Sequence, residues 1–200
     1  MKIYFVNPPF KAEYGRFSRE NRSPALTRSG TLYYPLWLIY AAAVCEKEGF
    51  EVCFLDAPAT PLNEEQSMQK ILETGQGTRL FVVSTSTPSI YSDVAFAERI
   101  RAEYSDALIV LVGTHPSALP EETLRLSKKI DAVARKEFDY IIRDMAFSLL
   151  DGGDYRQVKG ITYWDGDKVV SNEDMEYITD MDSVPFAAEF IKNQDRKSVV

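Results

Sequence analysis

Short apolar runs alternate along this chain with stretches in which apolar residues return every three or four positions. Ile3 to Val6 is β-branched and aromatic, and it ends at Asn7-Pro8-Pro9, through which no strand continues. A polar segment from Phe10 to Thr31 shows neither period. Pro35 then opens a helix, where its missing N–H costs nothing, and Leu36, Ile39, Tyr40, Ala43 and Val44 form its apolar face. Gly49 stops that helix. Val52 to Leu55 is the second strand, and Asn63 caps a second helix carrying Met68, Ile71 and Leu72. Leu80 to Val83 is continuously apolar, as expected of a strand covered on both faces. The next helix places Ile90, Val94, Ala97 and Ile100 on one side. Leu108 to Val112 is the most apolar run, Pro120-Glu121-Glu122 reads as a helix start with acids in its first turn, Asp131 to Ala134 is a short fifth strand, and a helix runs on to about Leu150.

Strands alternating with helices predict βαβ units: an α/β fold with a five-stranded, mostly parallel sheet and helices on both faces. Ligands of such sheets bind outside the carboxyl ends of the strands, near the point where strand order reverses. After Gly153 the period changes. Ile161 to Trp164 and Lys168 to Val170 flank Asp165-Gly166-Asp167, a strong hairpin signal. The expected division is a domain over 1–153, with a β-hairpin and connector over 154–200.

Composition narrows the function. With 200 residues and 45% hydrophobic content the chain can bury a core without staples. A net charge of -7 argues against nucleic acid, which needs a basic face. No apolar stretch approaches the ~20 residues of a membrane span. The two cysteines, Cys45 and Cys53, fit a reducing, cytoplasmic setting and read as small buried hydrophobes. With one histidine they cannot build a zinc site, so no metal ligands are expected.

The chemistry therefore rests on the strand ends. The first lacks the glycines that let a backbone approach a pyrophosphate, which argues against a dinucleotide, and no Walker phosphate loop is present. The third offers Ser84, Thr85, Ser86, Thr87 and Ser89, more hydroxyls than helix capping requires. The fourth brings Gly113 and His115 to the same edge. Asp56, after the second strand, stands in the wrong place for a receiver-type phospho-acceptor. Arg16, Arg19, Arg22 and Arg28 in the long polar segment suit either an anionic, amide-rich ligand or a solvated loop. No nucleophile–base pair is evident, so no catalytic residue is expected in this chain.

The order of these pieces resembles the N-terminal cobalamin (vitamin B12)-binding domain of cobalamin-dependent radical SAM enzymes. The resemblance rests on Asn7-Pro8-Pro9-Phe10, on the Arg-rich loop through Thr31-Leu32-Tyr33-Tyr34-Pro35, on the helix from Leu36, on Ser84 to Ser89, on Gly113 to Pro120, and on Arg135-Lys136-Glu137-Phe138-Asp139. The hairpin and Asp182-Ser183-Val184-Pro185-Phe186 resemble the family's bridge to its catalytic barrel. The resemblance implies a Rossmann-like (flavodoxin-like) domain that carries a corrin on its strand ends. Its implied contacts are Asn7, Pro8, Ser84, Thr85, Thr87, Pro88, Gly113, His115 and Glu137. Lacking Asp-x-His-x-x-Gly after the first strand, the chain resembles the branch that holds cobalamin without a protein lower ligand. Lys136 stands where the family usually has Gly.

In the parent enzyme the resemblance implies a methyltransferase-like radical SAM barrel with a [4Fe-4S] cluster and S-adenosylmethionine. This chain, with two cysteines and no Cys-x3-Cys-x2-Cys, cannot hold that cluster. The expected role is thus a cobalamin-binding module that presents the corrin to a barrel in cis. The ending Arg196-Lys197-Ser198-Val199-Val200 favours a truncated chain over a stand-alone one. The alternative is a flavodoxin-like interaction or regulatory domain that no longer binds cofactor.

Overall fold

A computed structural model describes residues 1–11, 17–20 and 33–193. Seven strands form one sheet in the order β2-β1-β3-β4-β5-β6-β7. The first five, β1 (Lys2–Asn7), β2 (Glu51–Asp56), β3 (Thr78–Thr85), β4 (Leu108–Gly113) and β5 (Ala132–Ala134), pair in parallel. Each lies where an apolar run predicted it. Strand order reverses between β1 and β3, which puts the topological switch beside Asn7.

Two expectations are corrected here. The sheet has seven strands, because the hairpin of β6 (Ile161–Asp165) and β7 (Lys168–Ser171) pairs antiparallel onto β5 and extends it. The hairpin thus shares one sheet with the strands of residues 1–153. Apolar periodicity locates a hairpin but says nothing of which edge receives it. The turn does form at Gly166, with φ +61. The second correction concerns β3, which runs on through Ser84 and Thr85. Both residues are buried and both pair with β4, so two of the expected loop hydroxyls are strand residues.

Alternation along the strands divides the core in two. Ile3, Phe5, Leu80, Val82, Val110 and Val112 face α1 (Leu36–Lys47), α6 (Asp139–Leu150) and α7 (Ala187–Asn193). Tyr4, Val6, Phe81, Val83, Ile109 and Leu111 face α2 (Glu64–Thr74) and α3 (Ile90–Glu103). A strand buried on both faces must be apolar at every position, which is why these runs do not alternate. Asn63 caps α2 through a capping box with Gln66. The stretch from Thr114, expected as loop, winds into a short helix, α4 (Thr114–Ala118), and the helix expected from Pro120 forms as α5 (Pro120–Arg125). Cys45 is buried in α1, whereas Cys53 on the edge strand β2 is only partly covered. Among the described residues no helix is long and apolar enough to cross a membrane.

The C-terminal stretch is more than a connector. From β7 it returns across the strand ends to the opposite side, where Phe190 of α7 is buried and meets Phe54 of β2 edge-on, centroids 5.8 Å apart.

Candidate functional site

The carboxyl ends of the parallel strands form one edge of the molecule, and its two halves are built differently. At β1 and β3 the edge is closed by a buried polar network. Arg19 and Asp93 are 4% and 0% exposed and pair side-on: Arg19 Nε donates to Asp93 Oδ2 (3.0 Å) and Nη2 to Oδ1 (2.6 Å). Arg19 Nη1 donates to Asn7 Oδ1 (2.9 Å), and Asn7 Nδ2 donates to Asp56 Oδ1 (2.8 Å). Ser89 Oγ donates to Asp93 Oδ2 (2.6 Å) and lies 3.0 Å from Ser86 Oγ. The guanidinium also stacks on Phe10, 4.0 Å from its centroid. Fork-to-carboxylate geometry and shared hydrogen bonds are what make a buried pair tolerable.

Glu20 continues the clasp into the next layer. Its Oε1 accepts the N–H groups of Trp37 (2.9 Å) and Leu38 (3.4 Å), capping α1, which has no cap from its own Pro35. Burial pushes the Glu20 carboxyl up to about 7, against the lowering effect of those backbone N–H groups.

At β4 and β5 the edge is open. A cavity of about 740 Å³ lies between Trp37 and Tyr40 of α1, Gly113, Thr114, Ser117 and Ala118 at the end of β4, and Lys136 to Asp139 after β5. Tyr177, Ile178, Met181 and Val184 of the returning C-terminal stretch complete its wall. The volume suits a small-molecule site, and the lining is largely aromatic and aliphatic with a few polar groups. Trp37, Tyr177 and Met181 are exposed large apolar side chains, which a surface keeps mainly for contact.

Three local features shape this half. Gly113 adopts φ +121, and a Cβ there would lie 2.2 Å from the Thr85 carbonyl oxygen, so only glycine fits where β4 leaves β3. Thr85 Oγ1 is buried without a hydrogen-bond partner, an orphan at the strand ends. Lys136 has φ +60, the single left-handed non-glycine among the described residues. Its N–H donates to Ser117 Oγ (2.8 Å), which in turn donates to the Gly113 carbonyl (2.8 Å). The backbone here thus takes the shape a glycine would give, although the residue is lysine. Lys136 Nζ pairs with Asp174 Oδ2 (2.6 Å). Glu137 Oε2 accepts the Ile178 N–H (2.9 Å), and burial, with the neighbouring Glu137 charge, pushes the Asp139 carboxyl up to about 6.

The expected contacts fall into groups. Gly113 and Glu137 line the cavity. Thr87 and Pro88 are exposed where β3 ends. Asn7, Pro8, Ser84, Thr85 and His115 are buried, His115 with its Nδ1 3.2 Å from Thr87 Oγ1. Of the four loop arginines, Arg19 is an internal strut; Arg16, Arg22 and Arg28, like Thr31 and Leu32, lie outside the described residues. Asp93 was missed, yet it stands three residues after Ile90 and four before Ala97, a charge inside an apolar stripe. The cavity's fourth wall was missed too, since nothing in the pattern of residues 173–186 says where that stretch returns.

This geometry, a parallel sheet whose carboxyl edge opens into a cavity beside a forced glycine, agrees with sequence similarity. Residues 22–146, more than half the chain, match the B12 binding domain. The chain belongs to that family. It is 26% identical over 189 residues to an anaerobic magnesium-protoporphyrin IX monomethyl ester cyclase of Cereibacter sphaeroides, covering 92% of this chain and 28% of that protein. It is 25% identical over 185 residues to an uncharacterized methyltransferase of Pyrococcus horikoshii, covering 92% and 37%. The B12-binding chain thus spans well under half the length of these relatives. The fold is shared with the cobalamin-dependent S-adenosylmethionine radical enzyme OxsB with aqua-cobalamin and S-adenosylmethionine bound (TM-score 0.71, 19% identity, 94% of this chain and 25% of that one). It is shared as well with the radical S-adenosylmethionine methyltransferase TsrM from Kitasatospora setae with cobalamin and [4Fe-4S] cluster bound (TM-score 0.62, 16% identity, 92% and 30%).

Proposed function

We propose that this B12-binding domain holds cobalamin on the open half of its strand-end edge and presents the corrin to a radical SAM barrel lying beyond it in a longer protein. The carrying observation is the cavity between Gly113, Lys136–Asp139 and the 177–184 wall. The residues fit the cofactor: a forced glycine lets a ligand approach the backbone, and exposed Trp37 and Tyr177 offer apolar area. Thr87, Pro88, Gly113 and Glu137 are the expected contacts at the surface. Asn7, Pro8, Ser84, Thr85 and His115 act from beneath, by fixing the strand ends.

Cobalt is held in this reading without a protein lower ligand. The one histidine follows β4, is buried, and is engaged with Thr87. Cobalamin supplies the cobalt chemistry when bound, while the protein supplies position and a partly dry surface. The [4Fe-4S] cluster, S-adenosylmethionine and a methyltransferase-like activity belong to the parent, with the hairpin and linker of residues 154–200 leading toward its barrel. The test is to mix the protein with hydroxocobalamin, desalt, and record the visible spectrum. Corrin absorbance should elute with the protein; none at protein concentrations on the order of tens of micromolar overturns the reading.

A second reading, an interaction domain that no longer binds cofactor, is favoured by one observation: at β1 and β3 the edge is filled by its own side chains. The same desalting experiment separates the two.

A further inference from the structure

We propose that Lys136 reads the phosphodiester of cobalamin's nucleotide tail, exchanging its ion pair with Asp174 for that anion. This deepens the cobalamin reading and rests on it. Among the described residues lining the cavity, Lys136 is the one cation. The cofactor's periphery is a set of neutral amides, and the phosphodiester joining corrin to nucleotide is its fixed negative charge. A single ammonium at the rim of an apolar cavity therefore has one complementary group on that ligand.

Two features make the exchange feasible. The first is placement. Lys136 keeps a left-handed backbone that glycine would adopt at less cost, and two hydrogen bonds through Ser117 tie it to Gly113. The stem of the side chain is thus fixed at the rim while its end stays accessible, 43% exposed. A lysine held where a glycine fits better has a side chain with a use.

The second is what remains when Lys136 leaves. Asp174 Oδ1 is independently bonded by Arg135 Nη2 (2.9 Å) and Nε (3.3 Å). Arg135 is buried and anchored by the carbonyls of Ile161 and Asn172 and by Thr162 Oγ1. Asp174 therefore keeps a fixed cationic partner, and releasing Lys136 strands no charge. The Lys136–Asp174 pair is half exposed on both sides, the kind of ion pair that contributes little to stability and exchanges readily. Arg135 holds Asp174 in place, and Asp174 parks Lys136 beside the cavity.

The experiment compares cobalamin with cobinamide, the same corrin without nucleotide or phosphate, by visible titration of the whole chain, wild type, Lys136→Gln and Asp174→Asn. The wild type should prefer cobalamin. Lys136→Gln should weaken cobalamin about tenfold and leave cobinamide unchanged, the scale of losing one charge-assisted contact. Asp174→Asn should tighten cobalamin several-fold by freeing the ammonium, a gain that a misfolded variant cannot mimic. Equal losses for both corrins in Lys136→Gln, or no loss, overturn the assignment; so does an Asp174→Asn variant that binds cobalamin no better than wild type. A wild type that binds neither corrin overturns the cobalamin reading itself, whereas one that binds both alike overturns only this inference.

Discussion

The two halves of the strand-end edge use charge in opposite ways. Over β1 and β3, Arg19, Asp93, Asn7 and Asp56 bind one another out of water, and every hydrogen bond described there is internal. Over β4 and β5, the charges of Lys136 and Glu137 line a cavity, reachable by solvent, with Asp174 paired to Lys136. The comparison teaches that the switch point, where doubly wound sheets usually take their ligands, is here a structural joint. Room for a ligand lies one to two strands over. Substitutions in the closed half, and of the backbone that frames the open half, should therefore move stability first, whereas exposed side chains of the open half should move binding alone.

The largest expected effect is Arg19→Met, which leaves the buried Asp93 carboxyl without its cationic partner. It should cost about 3–5 kcal/mol in denaturant melts, and a paired Asp93→Leu should restore most of it. A loss below about 1 kcal/mol would mean that the network is not a joint. Gly113→Val comes next. Its Cβ meets the Thr85 carbonyl and its φ is unfavourable, so a loss of roughly 2–4 kcal/mol is expected, read in the same melts.

The pH dependence divides along the same line. Glu20 in the closed half is held at about 7 against an ordinary 4.5, and Asp139 in the open half at about 6 against 3.8. Both are raised, so the folded state binds more protons than the unfolded one between those values. Stability from these groups is full below about pH 4 and is lost as pH rises toward 7. Glu20→Gln should flatten the upper part of that slope, by roughly 2 kcal/mol across pH 5 to 7.5, and Asp139→Asn the lower part. The smallest effect on folding is Tyr177→Ala. With its ring 63% exposed it should change stability by less than about 0.5 kcal/mol, while cobalamin affinity measured by visible titration falls. A large loss of stability with affinity unchanged would erase the contrast between the halves.

Much of this is legible in the sequence. The five parallel strands, the Pro35, Asn63 and Pro120 helix starts and the Gly166 turn follow from local chemistry, and local chemistry is what a sequence displays. The misses share a cause: each depends on a partner distant in the chain. Ser84 and Thr85 read as loop because they are polar, but pairing with β4 satisfies their backbones and lets them be strand. The hairpin joined β5 because β5 offered a free edge, a fact held by neither segment alone. Arg19 was one of four similar arginines until Asp93 singled it out. Lys136 was read as a departure from glycine; the backbone there is nonetheless glycine-like, held by Ser117 from a different loop.

Adjacency of Arg19 and Glu20 carries one more consequence. One residue is bonded into the sheet, the next into the start of α1, so the long connection between β1 and α1 is divided by a fixed point. Sheet edge and helix start are thereby coupled through a single peptide bond, so a displacement of one is passed directly to the other.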